Sequence, residues 1–172
     1  MTILHLKFNT IFLLCAVPLG FILTTIALFL PQWIRDDETM FAREGTGLVP
    51  FPPPQAPTYF RVSSVLMIIS FVLYALSVGF LVLAVVSFML KKLLLAQIGY
   101  LLLAIPGFPI YVLQFTSWII TLLCHNGDGY FSNPAFGVCP YLALISGFCA
   151  LLSAGVAAYL FRSIRIERRW KP

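Results

Sequence analysis

Few side chains in this 172-residue chain could do chemistry, and those few are spread thinly. Cys124 is followed directly by His125, a pair that suggests a metal ligand set. A tetrahedral zinc site takes four ligands, and neither a Cys-x-x-Cys pair nor a second cluster supplies the rest. The absence of Cys-x-x-Cys also counts against a four-helix thiol oxidoreductase. The long apolar stretches contain no Asp, Glu, Lys, Arg or His in their interiors, whereas proton relays, ion-coupled transporters and intramembrane proteases rely on ionisable groups there. Gln114 is the most polar side chain deep in such a stretch, and it reads as an interhelical hydrogen-bond donor. The expectation is a protein that is not an enzyme and has no cofactor and no metal.

The elements that would carry these residues follow from hydropathy. With 60% hydrophobic and 10% charged residues and a mean hydropathy of +0.97, the chain has too little polar surface to cover a soluble core. From Val62 to Leu123 it is apolar almost throughout, broken by Lys91 and Lys92. A helix spans a bilayer with about 20 residues, so this run predicts two crossings with the lysines at the turn. Residues 8–30 predict another helix, too long for a signal-peptide core and with no small-x-small cleavage site after it. Pro18 is tolerable there because neighbouring groups can satisfy the carbonyl it frees. The set is completed by helices over 62–90, 97–123 and 141–161, with a kink expected where Pro106 and Pro109 flank Gly107. The fold class is therefore an all-α membrane protein, a single four-helix transmembrane domain spanning residues 1–172.

Charge orients it. Lys7, Lys91, Lys92, Arg162, Arg165, Arg168, Arg169 and Lys171 lie on one side against Glu167 alone, while Arg35, Arg43 and Arg61 face five acids on the other. Cytosolic connections are enriched in Lys and Arg, so both termini are expected in the cytosol of a multi-pass plasma-membrane protein. The net charge of +5 is thus a topology signal, with no nucleic acid implied. The basic tail, 162–172, is expected to rest on anionic lipid of the inner leaflet through Arg162, Arg165, Arg168, Arg169 and Lys171.

Two outer loops remain. Residues 31–61 carry Pro50, Pro52, Pro53, Pro54 and Pro57, which lack amide donors and favour extended, partly polyproline backbone. Residues 124–140 are dense in turn formers and are bracketed by Cys124 and Cys139, whose position in an oxidising compartment predicts a disulfide closing the loop. Cys15 and Cys149 fall within helices and read as reduced packing residues. Small residues recur every four positions at Ser146, Ala150, Ala154 and Ala158, every seven at Ser63, Ser70, Ser77 and Ala84, and again at Ala16, Gly20 and Thr24. Such stripes let helices approach closely. They predict packing inside the bundle ahead of a homo-oligomer face.

Leu30-Pro31-Gln32-Trp33, at the exit of the first helix, resembles the Pro-x-Trp that opens the first extracellular segment of claudins and of their relatives among peripheral myelin proteins, epithelial membrane proteins and calcium-channel gamma subunits. Gly107 and Ser117-Trp118 are similar to the Gly and Ser-Trp of claudin third helices. The resemblance implies a claudin-like four-helix bundle with two extracellular loops. The Gly-Leu-Trp and paired cysteines of claudin first loops are missing, which implies a reduced or lost sheet there and a staple in the second loop instead. The ending Trp170-Lys171-Pro172 also differs from the PDZ-binding terminus of many claudins.

Function is expected in the loops. Trp33, Phe51, Tyr130, Phe131 and Phe136 are aromatic residues in or beside them, and aromatics on constrained loops are typical contacts because they bury much area at small entropic cost. Trp33, Tyr130 and Phe131 equally fit an aromatic belt at the headgroups. The expected partners are other membrane proteins, met across a cell contact or as subunits of a channel or receptor. The alternatives are a small channel or transporter, disfavoured by the absence of intramembrane charge, and a MARVEL-type membrane-organising protein.

Overall fold

The computed structural model describes residues 2–30, 32–36, 48, 58–124 and 134–170. Four helices, α1 (Thr2–Phe29), α2 (Thr58–Met89), α3 (Leu93–Cys124) and α4 (Cys139–Trp170), account for most of them. Each contains a window long and apolar enough to cross a membrane. With 28 to 32 residues apiece they exceed the roughly 20 residues that a crossing needs, so they must tilt or project. α4 does so most clearly, continuing as one helix into the basic segment that the sequence suggested would be a separate tail. Arg and Glu favour helix, and no Gly or Pro falls between Gly155 and Trp170. α3 likewise runs unbroken through Pro106 and Pro109.

α1 packs between α2 and α4, and α3 closes the ring on the opposite side. The burial pattern shows how. Along α2 the buried positions are Phe60, Ser63, Met67, Ser70, Tyr74, Ser77, Leu81 and Ala84, and along α4 they are Ala143, Ser146, Ala150, Ser153, Ala157, Leu160 and Ile164. Both step by three and four in alternation. The same alternation runs from Thr10 to Ala27 in α1 and from Ala96 to Thr121 in α3. An average of about 3.5 keeps one seam facing its neighbours when helices wind around each other left-handed.

The seven-residue stripe Ser63, Ser70, Ser77 and Ala84 is buried throughout. The four-residue stripe in α4 is not. Ser146 and Ala150 are buried, but Ala154 is half-buried and Ala158 is exposed. Four residues advance a helix by a full turn plus roughly 40°, so such a stripe rolls off the seam, which passes instead through Ser153 and Ala157. In the first helix, Ala16 is half-buried while Gly20 and Thr24 are buried. Gly107 sits where α3 and α4 nearly touch, since a Cβ there would lie 2.7 Å from the Ala150 carbonyl oxygen.

α2 and α3 are joined by a tight turn at the lysines. The Lys91 amide donates to Phe88 O and the Lys92 amide to Ser87 O, at 3.0 and 2.9 Å, with Lys91 at φ 59°. These are the two bonds of a Schellman cap, with a lysine in the left-handed position that glycine usually takes. At the far end of the bundle a two-stranded antiparallel ribbon joins β1 (Ile34–Asp36) to β2 (Pro134–Phe136). The sheet thus links the two loops to each other and is not a remnant within the first.

Candidate functional site

The loop end is assembled around Trp33. α1 closes with the Leu30 amide on Ile26 O, and the Gln32 amide then turns back onto Leu30 O, both at 2.9 Å. This turn drops the indole of Trp33 onto α1 itself, where Nε1 donates to Ala27 O at 2.5 Å. A helix leaves its last carbonyls without intrahelical partners, and Trp33 satisfies one of them. The ring is fully buried in a cluster with Leu28, Leu48, Phe60, Met67, Cys139 and Ala143.

Beyond Trp33 the chain enters the ribbon, where Ile34 faces Phe136, Arg35 faces Ala135 and Asp36 faces Pro134. Two bonds extend the pairing toward the bundle. The Gly137 amide donates to Trp33 O and the Cys139 amide to Gln32 O, each at 3.2 Å. The Cys139 thiol reaches Leu30 O at 3.4 Å. The exit of α1 and the entry of α4 are therefore stitched together. Only glycine suits position 137, because a Cβ there would overlap the Gln32 carbonyl.

Trp33 is thus no contact residue for a partner, nor a headgroup anchor as in an aromatic belt. The turn at Gln32 folds its ring inward, and its polar nitrogen finds a helix carbonyl in place of water. Cys124 and Cys139 also depart from expectation. They belong to the same apolar cluster, at the end of α3 and the start of α4, but both are free thiols, with Cys139 buried and its sulfur turned to Leu30. Cys15 on α1 and Cys149 on α4 are likewise free thiols. Phe136 lies in the ribbon opposite Ile34. Phe51, Tyr130, Phe131 and Lys171 fall outside the described residues. Arg162 and Arg165 are exposed on α4, and the same helix carries Arg168 and Arg169.

A second constellation lies at mid-bundle. Gln114 Nε2 donates to Thr24 Oγ1 at 2.9 Å, Thr24 Oγ1 meets Ser146 Oγ at 2.5 Å, and Ser146 Oγ donates to Gln114 Oε1 at 3.0 Å. With the Thr24 hydrogen directed at Ser146, donors and acceptors follow one another around a closed ring from α1, α3 and α4. Thr24 also has Gly20 O within reach at 2.9 Å. α2 joins through Tyr74, whose hydroxyl donates to Ser146 O at 2.9 Å. Gln114 was legible as a helix linker. Tyr74 was missed, though it falls on the same seven-residue frame as Ser63 and Ser70 by the three-four step. Nearer the loops, Ser63 and Ser117 each donate to the other's carbonyl, at 3.4 and 3.5 Å.

All of these groups are neutral hydroxyls and amides fully engaged with one another, an arrangement that fastens helices. Among the described residues no group of three or more His, Cys, Asp or Glu could hold a metal. The architecture is that of a tetraspan membrane protein in which Ile34–Asp36 and Pro134–Phe136 pair at one end of the bundle. The chain belongs to the claudin-like tight junction protein family, whose family model, described as "Tight junction protein, Claudin-like", matches residues 1–167. Among curated proteins none matches the chain significantly.

Proposed function

We propose that this claudin-like protein binds other membrane proteins through its two loops and does so without enzymatic activity, as a component of a cell contact or as an accessory subunit of a channel or receptor. The ribbon carries this reading. It pairs Ile34–Asp36 with Pro134–Phe136, segments from opposite halves of the chain, next to the buried Trp33. Pairing that is in place before a partner arrives lowers the ordering cost of association. In this arrangement the loops face outward from the plasma membrane and both termini lie in the cytosol, in keeping with the basic residues on the Lys91 turn and on the end of α4.

Replacing Phe51, Phe131 and Phe136 together should remove the partners that co-purify in mild detergent while leaving surface expression intact. Retention of every partner would refute the reading, and ion conductance by the purified protein in liposomes would favour a channel. Epitope tags on both termini should be accessible only after permeabilisation. The basic end of α4 and the residues after it would hold anionic lipid, at about 1 kcal/mol per basic residue. Changing Arg165, Arg168 and Arg169 to Gln should then reduce the anionic lipid that co-purifies.

A further inference from the structure

A small cavity of about 10 Å³ lies between the helices and shares Tyr74 with the polar groups around the Thr24–Gln114–Ser146 ring. Val17, Leu103 and Ile110 are among its apolar lining residues, and Tyr74, Ser77 and Ser153 are its polar ones. Ser153 is the unusual member. Ser64, Ser77, Thr25 and Thr121 each donate to the carbonyl four residues earlier in their own helix. Ser153 does not, and its Oγ, 3% exposed as a residue, has no hydrogen-bond partner, a state it shares with Ser70, which lies away from the cavity. A hydroxyl at mid-bilayer without a partner is costly, because neither lipid nor the apolar walls can accept its proton.

We propose that this cavity is a binding site for one ordered water molecule, held by Ser153, Ser77 and Tyr74. The size is at the threshold for a single water, and three polar partners fall within the usual two to four. The bonding closes without surplus. Ser77 and Tyr74 have already committed their hydrogens to Leu73 O and Ser146 O, so each has only acceptor capacity left. Ser153 has a hydrogen to give. The water accepts from Ser153 and donates to Ser77 and Tyr74, tying α4 to α2, which face each other across the bundle. Through Tyr74 it extends the polar ring by one further link.

Radiolytic footprinting of the full-length protein tests this, because hydroxyl radicals generated from a bound water oxidise the side chains around it even when bulk solvent cannot reach them. Tyr74, Leu103 and Ile110 should be oxidised in the folded wild type, while Leu13 and Leu160, equally buried but away from the cavity, should not. In Ser153→Ala the signal at all three should be lost, and Ser153→Val, which fills the space, should do the same. Absence of oxidation at Tyr74 and Ile110 in the wild type would overturn the proposal whether or not either variant folds. So would undiminished oxidation in a folded Ser153→Ala protein.

Discussion

The indole nitrogen of Trp33 donates to the carbonyl oxygen of Ala27, 2.5 Å away and six residues back along the chain. The bond does two things at once, capping α1 and fixing the point from which the first loop departs. Trp33→Phe keeps most of the buried surface but leaves the Ala27 carbonyl without this donor, and should cost about 1 kcal/mol. Trp33→Ala adds a cavity and should cost about 3–5 kcal/mol. Thermal unfolding in detergent would measure both, and equal losses would mean that the hydrogen bond contributes everything.

The ring of Thr24, Gln114 and Ser146 should behave as a unit. Each bond orients the next, so removing any one member forfeits the others. Thr24→Val and Ser146→Ala combined should therefore destabilise little more than either alone, with a coupling of about 0.6 kcal/mol and at most about 1.7. Strict additivity in the double-mutant cycle would show three independent contacts.

Lys91 occupies a left-handed conformation that costs a side-chain-bearing residue about 1–2 kcal/mol. Lys91→Gly removes that cost and leaves the bonds to Phe88 and Ser87 intact. The variant should unfold at a higher temperature than wild type. Lys91→Val, β-branched in the same conformation, should unfold at a lower one.

The cysteines give a chemical readout of the loop end. Cys139 is enclosed, while Cys124 at the end of α3 is only half-buried. A water-soluble maleimide in mild detergent should label Cys124, half-buried at the end of α3, before Cys139, which should react only on unfolding, and alkylation after unfolding without reductant should find four thiols. A protein that takes up two labels fewer would restore the bridge between Cys124 and Cys139 that their placement around the second loop suggested.

What the sequence disclosed and what it withheld divide along physical lines. Four spans and the lysine turn were legible because crossing a bilayer demands a length of apolar chain that little else produces. Gln114 was legible because a lone amide in such a span has to find a partner. Trp33 was not, since a tryptophan at a helix exit can face headgroups or fold inward, and the choice depends on a turn at Gln32 that hydropathy does not register. Ala158 was misplaced because a four-residue stripe looks continuous in sequence but rolls around the cylinder. Ile34–Asp36 and Pro134–Phe136 are too short to show alternation, and each is a strand only because the other exists.

That mutual dependence affects how the protein is made. When β1 leaves the ribosome, α2 and α3 are still to come, and Gly137, Cys139 and Ala143 follow only after them. Until then the first loop has no strand to pair with and Trp33 only part of its enclosure. A chain cut short after α3 would keep its membrane-spanning segments yet leave the tryptophan partly uncovered. The loop end therefore takes its finished form only in a chain translated through the start of α4.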